Sequence, residues 1–290
     1  MRLSGLPRPA LSVALCAALV LLARTAMAQP QNGDVLGTLS TYATRAEDSL
    51  PELARRFGVG YVELAAANPE VDPWLPGEGT QLVIPTAHIF PAGSRQGIII
   101  NLAEMRLYFW PRAGEPMSFP IGIGTDDRET RMGRTRIVRK QAHPTWFPPP
   151  SVRAEKPELP ASVPPGPDNP LGDYALYLDW PRYVVHGTNK PYGVGRRVSA
   201  GCIRLYPEDV ERLFPLVPVG TPVMVVEETV KLGWIGRQLY IQAHPSQRQA
   251  DEIEAERRFT PETVDGLEKR IADFAGSAID RVDWDAAVLA

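Results

Sequence analysis

The chain has 290 residues, with 31 Lys and Arg set against 34 Asp and Glu, for a formal charge of -3. Such a balance lacks the basic face that a nucleic-acid partner requires, so none is expected. Its length suits one large domain or two smaller ones behind a short leader.

The leader comes first. Arg2 and Arg8 precede an apolar run from Leu11 to Leu22, and Ala26-Met27-Ala28 supplies an A-x-A cleavage site. The run is short for a bilayer span, so residues 1–28 are predicted to be a signal peptide. The mature chain is then expected to begin at Gln29 and to be soluble in the periplasm. Bulky Leu15 before Cys16 argues against lipid attachment there.

Residues 38–86 form a small unit. Leu50, Leu53, Ala54 and Phe57 share one helical stripe, with Asp48 or Ser49 as N-cap and Gly58 at the end. A second helix is predicted from Tyr61 to Ala67, stopping at Asn68-Pro69. A turn over residues 75–79 then returns the chain as a strand from Thr80 to Pro85. This order and its landmarks resemble a LysM module. The resemblance implies binding to glycan strands that contain N-acetylglucosamine.

Residues 97–229 carry a β pattern. Strands are predicted at 97–102 and 105–110 around a tight turn at Ala103-Glu104, then at 119–124, 135–140, 175–178, 183–186 and 222–227. One helix is predicted from Pro207 to Phe214, with Pro207 early and Glu208 and Asp209 in its first turn. Many short strands with one helix point to a mostly β, sandwich-like or barrel-like domain. Nine of the 30 prolines lie between Pro148 and Pro170. That stretch is expected to be either a stiffened lid over a groove or a rigid surface connection.

Residues 230–290 form a tail. A last strand is predicted at 238–242 and a polar helix from Ser246 to Arg257. Another helix is predicted to start at Thr260-Pro261, with Val264, Leu267, Ile271, Phe274 and Ala275 as its apolar stripe. The extension is expected to pack on the domain before it or to bind a partner.

Outside the leader Cys202 is the one cysteine, so it has no partner for an internal disulfide. It follows His186 by sixteen positions, and a thiol with an upstream imidazole reads as a nucleophile and its base. Gly201 permits close backbone approach, and the Gly201 and Cys202 N–H groups are candidates to hold an oxyanion. Arg204, two residues on, shares a strand face with Cys202 and suits a substrate carboxylate. His88, His143 and His244 show no metal-ligand spacing and are read as surface or structural.

His186-Gly187-Thr188 followed by Ser199-Ala200-Gly201-Cys202-Ile203-Arg204 resembles the signature of the L,D-transpeptidases with the YkuD-type catalytic domain. Further likeness lies in Ile98 to Trp110, Pro144-Thr145-Trp146, residues 163–172 and residues 217–223. The resemblance implies a β-sandwich-like catalytic domain that needs no metal or organic cofactor. It implies that Cys202 attacks the L-centre carbonyl of meso-diaminopimelate in a tetrapeptide stem and expels D-alanine. His186 would be the base, oriented by the Gly187 carbonyl, while Ser199, Gly201, Ile203 and Arg204 organise the pocket.

The same resemblance implies peptidoglycan stem peptides and glycan strands as partners. The acceptor amine would come from another stem or from an outer-membrane lipoprotein or β-barrel protein. Two alternatives stand beside it: a carboxypeptidase or endopeptidase in which water resolves the thioester, and an inactive wall-binding scaffold. One departure is visible. Many members have a second His where this chain has Ala200.

Overall fold

The computed structural model describes residues 33–284. The leader predicted at 1–28 lies outside them. None of the helices among the described residues is long and apolar enough to cross a membrane.

The N-terminal unit takes the predicted order. β1 (Val35–Leu36) leads to β2 (Ser40–Ala43), α1 (Leu50–Phe57), α2 (Tyr61–Ala67), β3 (Gln81–Ile84) and β4 (His88–Ile89). α1 ends at Gly58, whose φ of 65° is the left-handed cap that glycine adopts most readily. Asn68 explains its place after α2. Its buried side-chain amide donates to the Leu64 and Val83 carbonyls and its carbonyl oxygen accepts from the Val83 N–H, which ties α2 to β3.

The central region is β-rich. β5 (Gly97–Asn101), β6 (Arg106–Trp110), β7 (Met117–Pro120), β8 (Ile123–Gly124) and β9 (Gly133–Ala142) come first. After α3 (Pro150–Glu155) follow β10 (Tyr174–Leu178), β11 (Val184–His186), β12 (Arg197–Ser199) and β13 (Ile203–Arg204). α4 (Pro207–Leu216) then precedes β14 (Pro222–Val226). Eight of these strands make one mixed sheet in the order β13-β11-β10-β9-β14-β5-β6-β7. The ten-residue β9 is its spine, pairing with β10 by one end and β14 by the other.

The strand expected at 119–124 is in fact two. Gly122 lies at the break in a bridge with Arg204, and only glycine fits there because a Cβ would lie 2.5 Å from the Gly193 carbonyl oxygen. β8 leaves the large sheet and pairs in parallel with β12, the strand that feeds the nucleophile loop.

β5 and β6 are buried on both faces, which is why their sequences run apolar rather than alternating. Ile98, Ile100, Leu107 and Phe109 face the main core with Ile137, Leu176, Val185 and Ile203. The opposite face, carrying Ile99 and Tyr108, is covered by a hairpin of β15 (Val230–Ile235) and β16 (Gln238–Ala243). Of that hairpin only the second strand is legible in the sequence.

Charged groups are sealed at this junction. Lys231 Nζ lies 2.6 Å from Glu104 Oε1 and donates to the Ile89 carbonyl and the Tyr108 hydroxyl oxygen. His88 lies between Glu63 and Glu104, and Arg106 pairs with Glu63 at 2.8 Å. His244 approaches Glu104 from the end of the hairpin. Burial pushes the His244 imidazole down to about 4, against the pull of Glu104, while Lys231 helps hold Glu104 well below the usual carboxylate range. His143 by contrast is exposed.

The helices of the tail depart from expectation in part. α5 (Gln247–Glu256) forms with Ser246 and Gln249 as a reciprocal cap. No helix starts at Thr260-Pro261; α6 runs Leu267–Ala275 from a left-handed Gly266. The reason is competition for the cap groups. The Thr260 N–H donates to Glu252 and its carbonyl accepts from the Gln249 amide, so the segment is strapped to α5 instead. Ile271 and Ala275 are buried as the stripe predicts, whereas Phe274 is exposed.

Candidate active site

His186 closes β11 and Cys202 stands one residue ahead of β13. The two strands are parallel, with Val185 opposite Ile203 and His186 opposite Arg204. Pleating then sends Cys202 and Arg204 to one side and Ile203 to the other. His186, Cys202, Arg204, Ser199 and Ala200 line one cavity of about 1020 Å³. Ile203 does not line it: the residue is fully buried in the core, which corrects its assignment to substrate binding.

The imidazole is held through Nδ1. His186 Nδ1 is 2.5 Å from the Gly187 carbonyl oxygen, which can only accept, so that nitrogen carries the proton. Gly187 is closely packed: a Cβ there would sit 3.0 Å from Val210 Cγ1. Burial, reinforced by the Arg204 guanidinium, lowers His186 to about 3; carbonyls of Gly187 and Leu171 pull weakly the other way. The base is therefore a neutral imidazole with Nε2 left to accept a proton.

Burial raises the Cys202 thiol, opposed in part by the Val184 backbone N–H and then by Arg204. The thiol donates to the Arg182 carbonyl, at 3.4 Å, rather than to the imidazole. Arg182 has a φ of 73°, a conformation rare for a side-chain-bearing residue and one that clusters at functional sites. No sequence signal marks it. Arg204 itself is lowered by burial, and its buried Nε has no partner among the described residues. A carboxylate in the cavity would answer that need.

The nucleophile loop is pinned from within. Ser199 Oγ accepts from the Gly201 N–H at 3.1 Å and donates to the Cys202 carbonyl at 2.6 Å. Gly201 has a φ of 97°, and a Cβ there would meet the Glu129 carbonyl oxygen at 3.2 Å. These bonds correct one expectation. The Gly201 N–H is already used by Ser199, so of the two predicted oxyanion donors only the Cys202 N–H remains.

The cavity wall also draws on segments far from the nucleophile loop in sequence. The Pro-rich stretch supplies a wall that includes Val152 and Leu159, the N-terminal unit supplies Trp74, and α5 supplies Glu254. α5 is held beside β12 by Arg197, a buried side chain that pairs with Asp251 and Asp126 and donates to the Gln247 carbonyl. Arg196 pairs with Glu254 at 2.5 Å and lies over the Tyr61 ring. Neither arginine is singled out by sequence reasoning, because each of these hydrogen-bond partners lies at least 50 residues away.

Comparison with known proteins identifies the family. A model of the YkuD L,D-transpeptidase catalytic domain matches residues 95–225. The probable L,D-transpeptidase ErfK/SrfK of Escherichia coli (strain K12) is 44% identical over 218 residues, covering 72% of this chain and 70% of that protein. Its counterpart in Salmonella typhimurium is 43% identical over 210 residues, covering 70% and 68%. The probable L,D-transpeptidase YbiS of Escherichia coli (strain K12) is 46% identical over 188 residues, covering 63% and 61%. On these matches the chain belongs to the L,D-transpeptidases, a family of transferases.

Proposed function

We propose that the protein is a peptidoglycan L,D-transpeptidase that works through a thioester on Cys202. The observation that carries this reading is the joint placement of Cys202, a Gly187-oriented His186 and Arg204 in one cavity.

Chemistry follows from those groups. Sγ attacks the L-centre carbonyl of meso-diaminopimelate in a tetrapeptide stem while the thiol proton passes to His186 Nε2. The tetrahedral intermediate collapses, the C–N bond to D-alanine breaks, and the leaving amine takes the proton from His186. An acceptor amine then attacks the thioester, gives its proton to the imidazole and returns the thiol. Arg204 supplies a bidentate site for a stem carboxylate. The acceptor is another stem peptide or the lysine of an outer-membrane protein.

Three further readings accompany this one. Residues 1–28 direct the chain to the periplasm. Residues 38–86 hold glycan strands. Residues 148–170 act as a lid, a role supported by the share of the cavity wall they form.

Intact mass spectrometry with a disaccharide-tetrapeptide tests the proposal, with and without an acceptor amine and beside Cys202→Ala. The expected result is release of D-alanine, an acyl adduct on Cys202 and its transfer to the amine. D-alanine release that ignores the amine would replace the transferase reading with a hydrolase. A folded protein with neither adduct nor release would overturn both.

A further inference from the structure

Four consecutive peptide groups run through the nucleophile loop, and each is held by a named bond. The Ser199 carbonyl accepts from the Thr125 N–H at 3.1 Å. The Gly201 N–H donates to Ser199 Oγ, and the Cys202 carbonyl accepts from the same hydroxyl. The fourth group, between Gly201 and Cys202, is held from outside the loop. Thr130 Oγ1 donates to the Gly201 carbonyl at 3.1 Å and accepts from the Gly124 N–H at 2.9 Å.

That peptide is trans and planar, so its C=O and N–H point in opposite directions. Thr130 is buried beneath the loop while Cys202 faces the cavity. Drawing the Gly201 carbonyl inward to Thr130 therefore turns the Cys202 N–H outward, toward the substrate side. With the Gly201 N–H used by Ser199, this is the donor of the pair on which an oxyanion would rely. We propose that Thr130 is a positioning residue of the reaction: its hydroxyl aims the Cys202 N–H at the oxygen that becomes negative in the tetrahedral intermediate. The inference rests on the thioester reading given above.

The chemistry separates this role from a merely structural one. Acyl transfer develops an oxyanion, whereas alkylation of the same thiol by iodoacetamide does not. The test compares Thr130→Val, which keeps the shape and loses the hydroxyl, with Thr130→Ser, which keeps the hydroxyl. Both are made in the full chain and read by D-alanine release, by iodoacetamide alkylation of Cys202 and by thermal melting.

Removal of one oxyanion donor lowers kcat about 10²–10³-fold, and misaiming it is expected to cost about 10–10²-fold. Thr130→Val should show that loss in kcat with KM within about twofold and alkylation at the parental rate, while Thr130→Ser stays near the parent. Parental kcat in a folded Thr130→Val would overturn the inference, as would equal losses of kcat and alkylation rate. Retained D-alanine release in Cys202→Ala would instead sink the thioester reading itself, so the two failures are distinguishable.

Discussion

Lys231 Nζ and Glu104 Oε1 meet at 2.6 Å with both side chains closed to water, one from the C-terminal hairpin and one from the turn between β5 and β6. The two residues are 127 positions apart. A buried pair of this kind contributes little beyond an apolar pair of the same shape, but breaking it strands a charge. Lys231→Met should therefore cost about 3–5 kcal/mol in urea unfolding. Adding Glu104→Gln should restore much of that loss. A double variant no more stable than Lys231→Met would show that the two groups are not coupled.

Acid should loosen the fold before it reaches the carboxylate range. His244 and His186 are held at about 4 and about 3 by burial, against about 6.5 in an unfolded chain. The unfolded state therefore binds more protons through this interval, and stability rises with pH across it. Their contribution is complete above about pH 6.5 and declines as pH falls toward the folded values. Melting curves from pH 7.5 to pH 4 should show a steady fall in Tm. A flat Tm over that range would contradict the buried neutral state of both rings.

Reactivity of the free thiol should rise late. Burial raises Cys202 and lowers His186, so the resting pair is a thiol and a neutral imidazole rather than an ion pair. Iodoacetamide alkylation should climb into the alkaline range without a plateau between pH 5 and pH 8. The acid limb of kcat/KM should lie below about pH 5, under the ordinary histidine range. A plateau of fast alkylation at neutral pH would establish a preformed thiolate instead.

Gly201→Ala probes the loop conformation. A methyl group there must bear a φ of 97° and a 3.2 Å contact with the Glu129 carbonyl oxygen. Strain of this kind costs about 1–3 kcal/mol, so the loop is expected to shift and D-alanine release to drop at least about tenfold. Parental activity and Tm in this variant would mean the loop tolerates another backbone path.

Legibility in the sequence followed the range of the interactions. His186 and Cys202 were readable because a nucleophile and its base need particular residue types, and the intervening loop is short. Helices α1, α2 and α5 were readable because Gly58, Asn68 and Ser246 each stop or start a helix through a bond to a residue no more than four positions away. The α6 start was misplaced because Thr260 is claimed by Glu252 and Gln249, side chains of the preceding helix. β15 was hidden because Lys231 looks like a surface residue until Glu104 is beside it. Arg182, Thr130 and Arg197 act through tertiary contacts, and nothing local distinguishes them.

The paired charges also decide where this protein can be cut. The family match ends at residue 225, ahead of both Lys231 and Asp251. A fragment trimmed to that boundary would keep Glu104 while discarding its ammonium partner. It would also keep Arg197 at the root of the nucleophile loop without the α5 carboxylate that shares its guanidinium. Domain boundaries drawn from homology and the limits of an independently folding piece are thus different lines here, and an excised catalytic segment would begin life with its internal electrostatics unbalanced.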